Sequence, residues 1–336
     1  MSTYFLTGGS GFIGGHLAEE LTARGHNVRC LVRKTSNREL LESVGVQYVE
    51  GSLADFNVLA EAVEEVDYVV HLAGRTSAFK LDQLMAANRD GTFNLARACA
   101  QATSPPVHVV ISSIAASGPT AHGTVRMEGA STAPVSNYGL SKRAGECAAQ
   151  LFADRVPTTI VRPGIVFGPR NTEMLPVFKS VSNMNVHAIM GVAAPRISLI
   201  HVADLVEIII RAAEHGQRLT ADNLNSSGTG IYYGVCPEYP TYASMGKIMK
   251  HAINRGRGRL SFVPSPLSWT VGIIMECMAR IRGQQLSVNL DKIREAHASS
   301  WACSTENLEH LGMIFPASLL ERFAQTGTWY RENNWL

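Results

Sequence analysis

An excess of charge is the first thing this chain lacks. Thirty Lys and Arg stand against 28 Asp and Glu in 336 residues, a formal net charge of +2. Nucleic-acid-binding chains usually show a basic excess, so nucleic acid is not expected as a partner. The local run Arg255-Gly256-Arg257-Gly258-Arg259 reads as a solvated loop. Paired cysteines are also missing. Cys30, Cys99, Cys147, Cys236, Cys277 and Cys303 form no C-x-x-C pair, and no His-Cys cluster has zinc spacing. Neither a disulfide framework nor a metal site is therefore expected. His71 and His201 sit in apolar runs without a ligand-spaced partner and read as structural residues. No run of about 18 uncharged apolar residues occurs, so no segment is expected to span a membrane. Met1 to Leu6 run straight into a strand pattern, which leaves no room for a secretory signal. A reducing cytoplasm is the expected location. Internal repeats and low-complexity tracts are absent as well.

What is present is enough apolar residue for a large core. Hydrophobic residues make up 46% and charged residues 17%, and the length allows one large domain or two smaller ones. Short apolar runs recur at Tyr4 to Leu6, Val28 to Val32, Gln47 to Val49, Tyr68 to Leu72, Val107 to Ile111 and Thr159 to Val161. Segments long enough for crossover helices separate them, such as Phe12 to Ala23 and Leu84 to Gln101. That alternation predicts an α/β fold, a doubly wound parallel sheet with helices on both faces. The nearly unbroken apolar character of the strands fits a sheet buried on both sides.

The rhythm changes after Gly168-Pro169-Arg170. Segment 171–195 is irregular, and Leu199 to Val202 with the helix from Ala203 to Glu214 reads as a return to the sheet. The expected division is a dinucleotide-binding domain over 1–170 and 196–229, and a smaller substrate-binding cap over 171–195 and 230–336. Within the cap, Leu267 to Ala279 is apolar, interrupted by Glu276 and closed by Arg280 and Arg282. It reads as a cap helix over an apolar pocket, and its composition also fits a helix lying on a membrane surface.

The first strand ends in Thr7-Gly8-Gly9-Ser10-Gly11-Phe12-Ile13-Gly14. Glycines at this spacing permit a tight turn and let backbone approach a pyrophosphate seated on a helix N-terminus. Gly8, Gly11, Phe12, Ile13 and Gly14 are therefore candidate cofactor contacts. An NAD site places a carboxylate at the end of the second strand to bind the ribose 2′-hydroxyl, and an NADP site an Arg. Here that position reads Val32-Arg33-Lys34-Thr35-Ser36, with no carboxylate until Glu39. Arg33 can fork onto phosphate oxygens with Lys34 beside it, so NADP(H) is expected over NAD(H).

Tyr138-Gly139-Leu140-Ser141-Lys142 opens a helical segment. Four residues apart on a helix, the phenol and the ammonium share a face. A neighbouring cation favours the phenolate and makes Tyr a usable proton donor and acceptor near neutrality. Upstream, the fifth strand ends in Ile111-Ser112-Ser113, which offers Ser113 as a hydroxyl partner.

These motifs together resemble an extended short-chain dehydrogenase/reductase of the NAD(P)-dependent epimerase/dehydratase group. The resemblance spans nearly the whole chain. It also includes His71-Leu72-Ala73-Gly74, Asn88-Arg89-Asp90-Gly91-Thr92, Arg162-Pro163-Gly164-Ile165-Val166-Phe167-Gly168-Pro169 and His201-Val202-Ala203-Asp204. It implies that Leu72, Ala73, Gly74, Asn88 and Ser112 line the cofactor and that Pro163, Gly164, Ile165 and Val166 pass beside its nicotinamide. Ser52 and Leu53 would lie by the adenine; the family more often has Asp in place of Ser52. Within the group, the pattern is closest to dihydroflavonol reductases and 3β-hydroxysteroid dehydrogenases. Arg162-Pro163-Gly164 replaces the Asn-containing segment of sugar-nucleotide enzymes, and no carboxylate follows Ser113 as dehydration requires.

The resemblance implies an NADP(H)-dependent oxidoreductase that interconverts a carbonyl and an alcohol on a small, hydrophobic substrate. Ser113, Tyr138 and Lys142 would be catalytic. Tyr138 protonates the oxygen, Ser113 hydrogen-bonds it, and Lys142 lowers the Tyr138 pKa and holds the nicotinamide ribose. Two other readings stand beside it: a nucleotide-sugar epimerase with tightly bound NAD, and a non-enzymatic NADP(H) sensor. Met174, Phe178, Met184, Tyr232, Tyr233 and Met275 are candidates for an apolar substrate lining or for cap core. The family often forms homodimers, so a homodimer is a possible assembly.

Overall fold

The computed structural model describes residues 1–184, 186–190, 195–221, 228–253, 259–263, 265–282 and 290–336. Arg255 to Gly258 of the arginine loop lie outside the described residues, as do the side chains of Met184 and Met190. The strands are β1 (Thr3–Thr7), β2 (Asn27–Val32), β3 (Gln47–Glu50), β4 (Tyr68–His71), β5 (Val107–Ile111), β6 (Thr158–Pro163), β7 (Ile165–Phe167), β8 (Val186–Met190), β9 (Leu199–His201), β10 (Ile231–Gly234) and β11 (Arg259–Val263). Seven of them form one sheet in the order β10-β6-β5-β4-β1-β2-β3. Every pairing within it is parallel. The order reverses between β1 and β4, and a crevice at such a switch point, beyond the carboxyl ends of the strands, is where ligands bind in open sheets.

Helices α1 (Phe12–Ala23), α2 (Glu39–Ser43), α3 (Phe56–Ala62), α4 (Leu81–Met85) and α5 (Gly91–Gln101) connect the first five strands. A wide helical turn, Ala86–Asp90, joins α4 to α5. Then come α6 (Ile114–Ser117), α7 (Asn137–Gln150), α8 (Leu175–Lys179) and α9 (Val202–His215). Tyr4, Leu6, Val70, Val109 and Val161 are buried in one cluster with α1 and α9, while Phe5 and Val69 are buried with α3 and α5. Burial on both faces is why these strands are continuously apolar.

Two expectations are corrected. Leu199–His201 does not rejoin the main sheet; it pairs with β7 in a separate two-stranded sheet. The seventh main strand is Ile231–Gly234, which pairs with β6 although the expected cap began at 230. Although this is an edge strand of the sheet, its aromatic residues are buried: Tyr232 and Tyr233 are at most 1% exposed.

The two stretches assigned to the cap meet in a parallel pair between β8 and β11. The remaining helices are α10 (Tyr242–Ala252), α11 (Ser265–Arg282), α12 (Leu290–Ala296), α13 (Glu306–His310) and α14 (Leu319–Glu332). A capping box between Ser318 and Glu321 starts α14. This helix closes the core: Phe323 stacks on Phe167 at 4.3 Å, and Tyr330 meets Phe178 edge-on at 5.0 Å. Arg322 binds the Asp204 carboxylate and ties α14 to α9. Met174 and Phe178 are therefore core residues rather than substrate lining. Tyr232 is core too, its hydroxyl accepting from the Gln217 N–H at 2.8 Å.

Candidate active site

The glycine turn bends the chain from β1 into α1. Gly8 has φ +77°, and a Cβ there would lie 2.7 Å from the Ala73 nitrogen. A Cβ on Gly14 would lie 2.2 Å from the Gly8 carbonyl oxygen. The loop closes through a 3.0 Å bond from Gly11 N–H to Gly8 O. Gly11 is the N-cap of α1, offers no side-chain acceptor, and no acidic residue occupies the first turn. The positive helix end thus faces a backbone cradle that admits phosphate and that side chains would fill, which fits a dinucleotide pyrophosphate. Phe12 sets its ring edge on His16, and Ile13 packs on the core.

Around the cradle, β4 is fixed to β1 by a buried chain of hydrogen bonds. The Thr7 hydroxyl is 2.7 Å from His71 Nδ1, and His71 Nε2 is 3.0 Å from the Thr92 hydroxyl. Burial holds the His71 pKa well below its ordinary value, so the ring is neutral and structural, as the sequence suggests. Leu72 N–H donates to Thr7 O and Ala73 N–H to the Thr7 hydroxyl, which sets both residues beside the turn. Asn88 is buried on the wide turn and its amide is engaged: Arg75 N–H donates to Oδ1 at 2.8 Å, and Nδ2 donates to Arg75 O and to Ser141 Oγ. Its contribution is to hold the Gly74-Arg75 backbone against α7. A Cβ on Gly74 would lie 2.7 Å from Asn88 Oδ1 and 3.6 Å from Lys142 Nζ, so Gly74 is near the catalytic candidates.

At the ends of β2 and β3, Arg33 is exposed, and among the described residues its side chain makes no hydrogen bond or ion pair. Lys34 is 3.9 Å from Glu50, and Arg38 pairs with the same carboxylate at 3.2 Å. The Ser52 hydroxyl donates to Asp55 at 2.7 Å. Leu53 packs against α3 and α5, and a Cβ on Gly91 would meet it at 2.8 Å.

The catalytic candidates converge where β5 ends and α7 begins. Ser136 caps α7 by accepting from Gly139 N–H at 3.0 Å, and the helix presents Tyr138 and Lys142 one turn apart. Tyr138 hydrogen-bonds Ser113, whose own Oγ also accepts from Ala115 N–H at 3.1 Å. Lys142 Nζ donates to Ile111 O at 2.6 Å. Burial brings the Lys142 pKa down to about 8. Burial also raises that of Tyr138, against the opposing pull of its Ser113 hydrogen bond. The expected lowering of Tyr138 by Lys142 is thus not present in this arrangement; the ammonium is spent on the Ile111 carbonyl. Ser112 N–H donates to Val161 O at 2.7 Å, joining this strand end to β6. Pro163 ends β6 on the same edge, and Gly164, Ile165 and Val166 follow it, with Gly164 N–H bonded to Gly234 O.

Two features were missed in the sequence. Glu146, one turn beyond Lys142, takes both arms of Arg162 at 2.8 and 2.7 Å, and Arg143 adds a bond at 3.2 Å. Burial pushes the Glu146 carboxyl upward, but the Arg162 charge and hydrogen bonds more than offset it and hold it below its usual value. This pair pins α7 to β6. The other feature is α12, which lies over the tyrosine: Asp291 accepts from Tyr138 N–H at 3.3 Å, Glu295 accepts from Ser136 Oγ, and the Lys292 ammonium is 6.0 Å from the Tyr138 ring centre. An i, i+4 Tyr–Lys pair signals itself; contacts across 153 residues of chain do not.

The doubly wound sheet and its glycine cradle define an NAD(P)-binding oxidoreductase of the extended short-chain dehydrogenase/reductase class. Residues 4–225 match the NAD dependent epimerase/dehydratase family, and the chain belongs to it. Among its relatives is "Ceramide reductase" of Caulobacter vibrioides (strain NA1000 / CB15N), 27% identical over 98% of this chain and 95% of that protein. Another, of Stigmatella aurantiaca, is "4-hydroxy-2-methyl-3-oxo-4-farnesyl-3,4-dihydroquinoline-1-oxide ketoreductase", 30% identical over 63% of this chain and 64% of that protein. The fold is shared with the solved structure of MoeE5 in complex with UDP-glucose and NAD, with a TM-score of 0.75 at 20% identity, covering 99% of each chain.

Proposed function

We propose that this enzyme is an NADP(H)-dependent reductase or dehydrogenase that interconverts a carbonyl and an alcohol on a hydrophobic substrate. The observation that carries this reading is the convergence of Ser113, Tyr138 and Lys142 beside Gly74 at the carboxyl edge of the sheet. When bound, the nicotinamide supplies or accepts the hydride. The chain supplies the proton: Tyr138 gives it to the substrate oxygen, Ser113 steadies that oxygen, and Lys142 turns from Ile111 O toward the ribose and the phenol. The glycine cradle and the helix N-terminus hold the pyrophosphate, and Leu72, Ala73 and the segment Pro163 to Val166 wall the nicotinamide side. Arg33 answers the 2′-phosphate; its exposed side chain and the absence of a carboxylate at the end of β2 support this.

Met174, Phe178, Tyr232 and Tyr233 are core, so the hydrophobic substrate is supported by the relatives named for ceramide and farnesyl-quinoline reduction. The cap stretches, 171–195 and from about 235 onward, would close over it. The free thiols of Cys147 and Cys277, both exposed, fit a cytoplasmic setting, and exposed Leu140 and Leu151, one on α7 and one just past its end, suit a homodimer face. A nucleotide-sugar epimerase is the second reading, favoured by the Lys292 ammonium near Tyr138, which suits an anionic substrate. NADPH consumption followed optically, with hydrophobic ketones beside nucleotide sugars, separates them. Saturable binding of a nucleotide sugar with no ketone reduced would hand the case to the epimerase.

A further inference from the structure

Among the described residues, helix α11 presents an exposed apolar face. Leu267, Ile273, Ile274 and Ile281 are more than half exposed, and Trp269 and Val271 more than a third. Ser268 and Ala279 are buried on the opposite side, where the Ser268 hydroxyl meets His297 at 2.9 Å; Trp269, at the border of the exposed face, stacks on the same ring. At 100° per residue the exposed apolar positions sweep more than half of the helix circumference, with exposed Thr270 and Cys277 among them and Arg280 between Trp269 and Ile273. A helix seam needs only a narrow stripe; so wide an arc, mainly apolar and with one arginine, suits immersion in an interfacial layer.

The charges agree with that. Glu276 is the helix's one carboxylate and is held by Arg280 at 2.9 Å, so the exposed Arg282 leaves the C-terminal end positive. The helix also borders the site. It packs on α12, which contacts Tyr138, and Arg280 donates to Phe79 O on the loop that leaves β4.

We infer that α11 seats the cap on a bilayer surface bearing anionic headgroups, so that a lipid-dissolved substrate reaches Tyr138 past α12. No helix among the described residues is long and apolar enough to cross a membrane, so the contact is interfacial. The inference rests on the hydrophobic-substrate reading above, and its test separates the two.

The full chain is floated with vesicles of phosphatidylcholine alone and of an equimolar mixture with phosphatidylglycerol. It should rise with both, more with the mixture, and the difference should shrink in salt. Leu267→Glu/Ile274→Glu changes two exposed positions and should keep the unfolding temperature. It should lower vesicle partition by more than about ten-fold, since two large side chains no longer enter the apolar layer. NADPH-driven reduction of a water-soluble ketone should be equal in both proteins, while reduction of a vesicle-embedded ketone should fall in the variant. A parent chain that floats with neither vesicle, or a variant that floats as well as the parent, overturns the inference. A parent dimer that the variant converts to monomer, without flotation of either, assigns the face to a second copy instead. If flotation behaves as expected and neither ketone is reduced, the surface contact stands and the reductase reading falls.

Discussion

Glu146→Leu tests whether the buried ion pair holds α7, the helix that carries Tyr138 and Lys142. Glu146 and Arg162 side chains are 0% and 1% exposed, and the carboxylate satisfies two guanidinium bonds from Arg162 and one from Arg143. Removing it strands the Arg162 charge in the interior. Breaking one partner of such a pair costs about 3–5 kcal/mol, against a total stability of about 5–15 kcal/mol. With an unfolding entropy of about 2.1 cal/mol/K per residue, a chain of 336 residues should lose about 4–7 °C of melting temperature. Replacing both, as Glu146→Leu/Arg162→Met, removes the stranded charge and should recover most of that loss. The carboxyl also carries a pH signature. Its folded pKa lies below the ordinary value, so its stabilisation is present above the unfolded pKa and is lost as pH falls through the folded one. Both variants should therefore show a shallower acid limb of stability. Calorimetric scans from acid to neutral pH provide the measurement. A single variant that melts with the parent, or a double variant as unstable as the two singles added together, would refute the reasoning.

The other predictions concern the site itself. Tyr138→Phe should retain cofactor binding in a fluorescence titration while turnover falls about 10²–10⁴-fold, the range of a general acid–base group; full activity would remove Tyr138 from the proton transfer, and a parent that binds cofactor without turnover would promote the non-enzymatic sensor. Lys142 loses its proton near pH 8, so steady-state turnover should decline above that value, and a rate that is flat to pH 10 would detach Lys142 from the proton transfer. Because its folded pKa is below the unfolded one, the charged form costs stability at neutral pH and the cost is relieved as pH rises past about 8. Lys142→Met should accordingly melt no lower than the parent while being nearly inactive. Arg33→Asp should weaken NADPH far more than NADH in parallel titrations at fixed salt, and equal affinities in the parent would return Arg33 to a surface charge.

Much of this molecule is decided within short stretches of chain. Strands β1, β4 and β5 announce themselves because a strand covered on both faces needs apolar residues at most successive positions, as in Tyr4 to Leu6 and Val107 to Ile111. The glycine turn is local at Gly14, where a side chain would strike the Gly8 and Gly9 backbone, while the clash at Gly8 is with Leu72 and Ala73 at the end of β4. Tyr138 and Lys142 share a face because four residues make about one helical turn.

What required the tertiary structure are the relations between distant segments. Ile231–Gly234 looks like any aromatic run until β6 offers it an open edge. Met174 and Phe178 have the composition of a pocket, and only the arrival of Phe323 and Tyr330 from α14 makes them core. Glu146 is one more polar residue on a helix until Arg162 is buried against it. The placement of α12 over Tyr138, and with it α11 at the edge of the site, joins residues 153 positions apart. Apolar patterning marks which face of an element must be covered, but the covering element is chosen by packing, charge pairing and chain connectivity acting together across the whole fold.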